Sequence, residues 1–168
     1  ASVAIQKDAE DIEFIFVNDG STDNTLHLLN QFKDKDKRVV VIDQPNAGVS
    51  AARNRALEIA KGNYFFLLDS DDYLPENTIS YIKDVINKHC PDIIMPAYNN
   101  VIGSAEILVK LPLEDGLYDK HSFFKSVKYF PTKPQLIYKN KSVKFNAAVK
   151  CGEVYAFTIS YLQYAQTI

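Results

Sequence analysis

Tyr64-Phe65-Phe66-Leu67-Leu68-Asp69-Ser70-Asp71-Asp72 is the stretch that decides how this chain is read. Five apolar or aromatic residues run into three carboxylates set in four positions. A short continuous apolar run suits a strand buried on both faces. Carboxylates crowded at its end repel one another unless positive charge sits between them. A hard divalent cation meets that need, because Mg2+ and Mn2+ take oxygen ligands and share them with substrate phosphates. The stretch therefore predicts a metal-assisted site for a phosphorylated substrate at a strand's C-terminal end. A solvated acidic turn ahead of a helix is the competing explanation.

Working outward, Ile12-Glu13-Phe14-Ile15-Phe16-Val17 reads as a strand, with aromatic and β-branched residues throughout. Before it, Ser2 to Lys7 fits the tail of a helix. After it, Asn18-Asp19-Gly20-Ser21 is turn chemistry, and Leu26, Leu29 and Phe32 set a helix over Thr25 to Phe32. Arg38 to Ile42 is a second β-branched strand, and Pro45 to Gly48 a loop. Ser50 is placed to cap an Ala-rich helix from Ala51 to Ala60, with Gly62 at its C-terminal end. Pro75 suits a first helical position, and Ile79, Ile82, Val85 and Ile86 stripe a helix running to His89. Asp92 to Met95 is another short buried strand.

Strand and helix thus alternate to residue 96, which predicts an α/β fold with a parallel sheet and helices on both faces. Ligands in such sheets sit beyond the carboxyl ends of the strands. Asp19 and Asp69 to Asp72 both fall at such ends. The second half alternates less regularly. Val101 to Lys110 reads as a strand or hairpin arm. Tyr118 to Lys128 reads as a helix with Phe123, Phe124 and Val127 on its core face. Phe130 to Asn146 is irregular, basic and aromatic, and Glu153 to Ile168 is a terminal helix, apolar at Val154, Phe157, Tyr161, Leu162 and Ala165.

Bulk properties narrow the class. The 168 residues suit one ordinary domain, with a ligand-binding half to residue 96 and a second half from 97. A net charge of -2 gives no electrostatic footprint of a nucleic-acid binder. Cys90 and Cys151 form no metal or redox motif, and reduced thiols in a reducing compartment are expected. No apolar run is long enough to span a bilayer. Arg53 and Arg55 open a helix near the rim, and arginine is a good bidentate partner of phosphate or carboxylate. Either could equally be a surface cation paired with Glu58. An EF-hand beginning at Asp69 fails, because its sixth and twelfth positions are Leu74 and Ser80. Neither a P-loop nor a Gly-x-Gly-x-x-Gly fingerprint is present. Metal and arginine, not a glycine nest, would have to neutralise a pyrophosphate.

Three segments carry a resemblance: Val17-Asn18-Asp19-Gly20-Ser21-Thr22-Asp23-Asn24-Thr25, Asn46-Ala47-Gly48-Val49-Ser50-Ala51-Ala52-Arg53-Asn54 and Leu68-Asp69-Ser70-Asp71-Asp72. In order and spacing they resemble the family 2 glycosyltransferases of the GT-A fold, over residues 1 to 95. That resemblance implies a Rossmann-like, mostly parallel sheet flanked by helices, with a less regular acceptor-side region after it. It implies that Asp19 contacts the nucleotide base and that Arg53 lies near the nucleotide or its phosphates. Asp69 to Asp72 would be the family's DxD element, with Asp69 reaching ribose or sugar and Asp71, helped by Asp72, holding Mn2+ or Mg2+. The implied partners are a nucleotide-sugar donor, UDP by family habit, and a glycan or lipid-linked acceptor. The implied setting is cytoplasmic, at the inner face of a membrane.

Two departures from the family pattern stand out. The chain enters the pattern inside the first helix, so the family's opening strand and its Pro-x-Tyr-Asn-like turn are expected to be omitted from it. The family's Gly-Glu-Asp element reads Gly152-Glu153-Val154 here. Its Asp is the usual general base, and Val154 cannot accept a proton. Glu153 is adjacent and is the candidate base, unless it is only an acid favoured by a helix N-terminus. Three functions follow: an inverting sugar transferase of polysaccharide synthesis, a degenerate nucleotide-sugar-binding module, and a metal-dependent sugar nucleotidyltransferase.

Overall fold

The computed structural model describes residues 2–110, 113–126, 136–141, 143–149 and 153–168. Among them the expected alternation is present: β1 (Phe14–Asp19), α1 (Thr25–Lys35), β2 (Val39–Gln44), α2 (Val49–Ile59), β3 (Tyr64–Phe66), α3 (Thr78–His89) and β4 (Ile93–Ile94). The second half adds β5 (Tyr98–Ile102), β6 (Ala105–Val109), α4 (Lys120–Ser126), β7 (Ile137–Lys139) and α5 (Glu153–Leu162).

β1 and β2 pair in parallel, from Phe14 opposite Val39 to Asp19 opposite Gln44. The second sheet has the order β3-β7-β4, and β7 runs antiparallel to both neighbours. The α/β architecture is therefore the expected one, with an antiparallel strand set into it. That strand lies inside the segment expected to be irregular. Leu136, Ile137 and Tyr138 are only 4%, 3% and 1% exposed. So short an apolar run, between basic neighbours, shows no period; its burial between β3 and β4 makes it a strand.

The core gathers around α5. Phe157 and Tyr161 pack with Phe123 of α4, Ile93, Tyr138 and Phe145. Phe145 and Phe157 stack with centroids 4.1 Å apart, and Tyr138 meets Phe157 edge-on at 5.2 Å. The Tyr138 hydroxyl and Thr158 Oγ1 share a hydrogen bond of 2.7 Å, which satisfies both buried groups. Burial pushes this phenol up to about 12.

Several boundaries differ from expectation, each for a local reason. Ser2 to Lys7 forms turns, not helix. The buried Gln6 side chain donates to the Pro75 carbonyl at 2.8 Å and accepts the Ile79 N–H at 3.3 Å. It satisfies one of the orphan donors of α3. Pro75 is accordingly in the turn before α3, whose first residue is Thr78. Gly62 does not end α2, which stops at Ile59; the Lys61 and Gly62 amides instead donate to Glu13 Oε1 at 2.6 and 3.0 Å. Phe123 is buried but Phe124 is 47% exposed, because the short α4 offers one buried face; Val127 lies outside the described residues. Helix α5 ends at Leu162, short of Ile168. Beyond it Tyr118 and Ile168 exchange backbone hydrogen bonds, both at 2.9 Å, and the Asp92 carboxylate accepts the Gln166 N–H at 2.7 Å. The expected hairpin arm is β5–β6, turning at Gly103 and Ser104.

Candidate functional site

The ends of β1 and β3 and the starts of α2 and α5 lie along one rim. At the first, β1 runs into Asp19 and Gly20. Gly20 has φ of +73°, and a Cβ there would meet Asn46 N at 2.7 Å, so only glycine lets the two loops come this close. The Asp19 carboxylate accepts from the Gln44 side chain at 2.8 Å, the Ala47 N–H at 2.9 Å and the Gly48 N–H at 2.8 Å. Desolvation pushes its pKa upward, but the Ala47 amide, Gln44 and the Gly48 amide outweigh that and hold it below the usual carboxylate value. Asp19 thus shapes the 44–48 loop and places negative charge at the start of α2, where the helix dipole favours it.

This explains why Ser50 is not a cap. α2 starts at Val49 after Gly48, whose φ is +89°, and no side chain caps it. Ser50 sits inside the first turn, buried, with Oγ unpartnered among the described residues.

Further along α2, Arg53 and Asn54 turn toward the core while Arg55 turns away. Arg55 pairs with Glu58 at 3.2 Å, both well exposed, as a surface arginine would. The Arg53 side chain is 13% exposed. Its Nη2 donates to Asp69 Oδ1 at 3.0 Å, and its Nη1 to Glu153 Oε1 at 2.8 Å. Its guanidinium also lies over the Phe145 ring, 5.4 Å from the centroid. The Asn54 side chain grips Phe145 twice, accepting its N–H at 2.7 Å and donating to its carbonyl at 2.9 Å. Asn54 and Phe145 were not expected as site residues. Asn54 stands in a quoted motif, but no periodicity announces a partner 91 positions away.

Asp69 follows the end of β3, and the turn beyond it closes with the Asp72 N–H donating to the Asp69 carbonyl at 3.1 Å. Asp71 and Asp72 are exposed on this turn. Among the described residues no three His, Cys, Asp or Glu side chains gather closely enough to hold a metal ion. The donor chemistry still fits a hard cation, because exposed carboxylate oxygens suit an ion that completes its shell with water and a ligand's phosphates.

Glu153 opens α5, and the following Val154 packs against the core. The side chain offered to the rim from this turn is therefore Glu153. Its own backbone N–H acts first to lower its pKa, desolvation opposes this, and the Arg53 hydrogen bond and charge add to the lowering, so the carboxyl lies below its usual value. The rim thus brings together Arg53, Asp69 and Glu153, with Asp71 and Asp72 on the adjoining turn and Asp19 at the head of α2. Its chemistry is that of carboxylates around one cation, open to a polar ligand.

The chain is similar to known glycosyltransferases. "Glycosyltransferase GlyA" of Streptococcus pneumoniae is 35% identical over 111 residues, covering 66% of this chain and 16% of that protein. "Poly(ribitol-phosphate) beta-glucosyltransferase" of Bacillus spizizenii is 31% identical over 156 residues, 90% of this chain and 24% of that protein. The crystal structure of S. aureus TarS 1-349 shares the fold with a TM-score of 0.75 and 25% identity, over 89% of this chain and 45% of that one. The chain thus spans less than half the length of each of these. The profile described as "Glycosyl transferase family 2" matches residues 1–151, and on the strength of that match and these relatives the chain belongs to glycosyl transferase family 2.

Proposed function

We propose that this chain carries the site of an inverting transferase that moves a sugar from a UDP-sugar to a glycan or lipid-linked acceptor in polysaccharide synthesis. The observation that carries this is the convergence of Asp69 and Glu153 on Arg53 at the end of β3. A relative named for glucosylating poly(ribitol phosphate) supports a polymeric acceptor.

Asp19 would meet the base with the acceptor capacity left beyond the loop it organises. Asp69 would reach ribose or sugar, and Arg53 would keep the rim from being purely anionic toward a diphosphate. Asp71 and Asp72 would hold Mn2+ or Mg2+, which when bound neutralises charge on the departing nucleoside diphosphate. Glu153 would take the proton of the acceptor hydroxyl as its oxygen bonds to the anomeric carbon and the bond from that carbon to the diphosphate breaks. Residues 1–96 would serve the donor and 97–168 the acceptor. Among the described residues no helix is long and apolar enough to cross a membrane. A cytoplasmic setting, with peripheral contact to a membrane where the acceptor is lipid-linked, belongs to the same proposal.

A second reading is a donor-binding module without transfer. Val154, turned into the core where the family carries its base, favours it. Calorimetric titration with UDP and UDP-sugars, with and without Mn2+, beside a donor-hydrolysis assay separates the two. Metal-dependent binding lost in Asp71→Asn, with turnover lost in Glu153→Gln, is the expected result. Binding without turnover would establish the module, and no binding of any uridine nucleotide would overturn both. Release of pyrophosphate in place of UDP would point to nucleotidyl transfer.

A further inference from the structure

We infer that Arg53 is a positioning residue, which sets the candidate base Glu153 against the acidic turn by holding Glu153 on one guanidinium nitrogen and Asp69 on the other. The inference rests on the reading of Glu153 just given and assigns the part Arg53 plays in it.

The geometry argues against a freely available phosphate ligand. Both terminal nitrogens of Arg53 already face carboxylates, at 2.8 and 3.0 Å. One face of its guanidinium is over Phe145. That ring cannot drift, since Asn54 fixes its backbone on both sides and Phe157 stacks on it at 4.1 Å. The planar fork of arginine is suited to such a bridge, with directed donors at each end; a lysine ammonium brings the charge without the fork or the flat face. Glu153 stands on the far end of the chain from Asp69, and no other cation is paired with it among the described residues. Among the described residues Arg53 from α2 is the charged group paired with Glu153, and Asp69 shares that cation from the end of β3.

Removing the bridge should therefore disturb transfer more than donor binding. A misplacement of the order of 1 Å at a reacting group costs up to about 10²-fold in rate. In Arg53→Gln, binding of the UDP-sugar with Mn2+ should stay near that of the unaltered protein by calorimetry. Turnover kcat should fall about 10²-fold with KM little changed, the pattern of an interaction that matters in the transition state. Loss of the neighbouring cation should also move the acidic limb of the pH–rate profile upward, because Glu153 must be ionised to act. Arg53→Lys should restore the position of that limb more fully than it restores kcat.

A raised KM with unchanged kcat in Arg53→Gln would make Arg53 a donor ligand and overturn the inference. So would an unaltered kcat and acidic limb. If Arg53→Gln fails to fold, Arg53→Lys decides: kcat equal to that of the unaltered protein overturns the inference, and a fall with KM held supports it. An unaltered protein that binds no UDP-sugar, or binds without turnover, sinks the reading of Glu153 as base and this inference with it. Measurable turnover in the unaltered protein with an indifferent Arg53 sinks the inference alone.

Discussion

Asp92 shows how much one side chain can hold. Its carboxylate accepts the Lys141 ammonium at 2.8 Å and the Gln166 N–H at 2.7 Å, and its side chain is 10% exposed. Desolvation pushes its pKa up, but Lys141 and the Gln166 and Thr167 amides outweigh this and leave it lowered. A group whose pKa is lower when folded stabilises the protein above its unfolded value, and that stability is lost as pH falls through the folded value. Unfolding free energy should therefore drop on acidification below the ordinary carboxylate range, and less so in Asp92→Asn; urea titrations at several pH values would show it. At neutral pH Asp92→Asn should cost about 1.5–3 kcal/mol, the usual worth of charge-assisted bonds. Gly20 makes the opposite demand, for the absence of a side chain. Gly20→Ala should destabilise by about 1–3 kcal/mol through left-handed strain, with the clash at Asn46 N added. An unchanged urea midpoint would contradict this.

Among the elements, α2 does most to join distant sequence. Asn54 fixes Phe145, Glu58 meets Lys144 at 3.0 Å, and Arg53 reaches Glu153. Asn54→Ala leaves two backbone groups of Phe145 without partners and should cost about 1–3 kcal/mol in urea unfolding. Glu58→Ala, at an exposed pair, should leave the urea midpoint nearly unchanged. The sequence showed the strands before Asp19 and Asp69 because apolar runs and turn residues are local signals. It showed Arg53 because a motif set it beside the rim. β7 was hidden because its identity depends on what it lies between, and Asn54 because hydrogen bonding across 91 positions leaves no periodic trace. The cap expected of Ser50 failed for the same reason: Asp19, from another strand, organises that turn.

At the scale of the whole molecule, the β5–β6 hairpin stands out among the described elements for its exposed apolar side chains. Ile102 and Ile107 are 62% and 52% exposed. Two-stranded sheets are marginal alone, and an exposed apolar edge invites pairing between chains. Ile102→Lys combined with Ile107→Lys should leave the thermal midpoint nearly unchanged and reduce light scattering at high concentration. A large loss of stability would show that the hairpin packs on something.

The place of β7 bears on the order in which the chain can be made. β3 and β4 share no bond with each other; each is paired to β7. A nascent chain that has emerged only to residue 110 can close β1 on β2, but holds β3 and β4 with their common neighbour still inside the ribosome. The acidic turn after β3 would then be present before the strand that fixes its base, and Arg53 before Glu153 exists. Pulse-labelled hydrogen exchange during refolding should find Val40 to Ile42 protected ahead of Phe65 and Ile94. The rim would acquire its shape late among the described parts, so a ribosome-bound intermediate would expose Arg53 and Asp69 before Glu153 can join them.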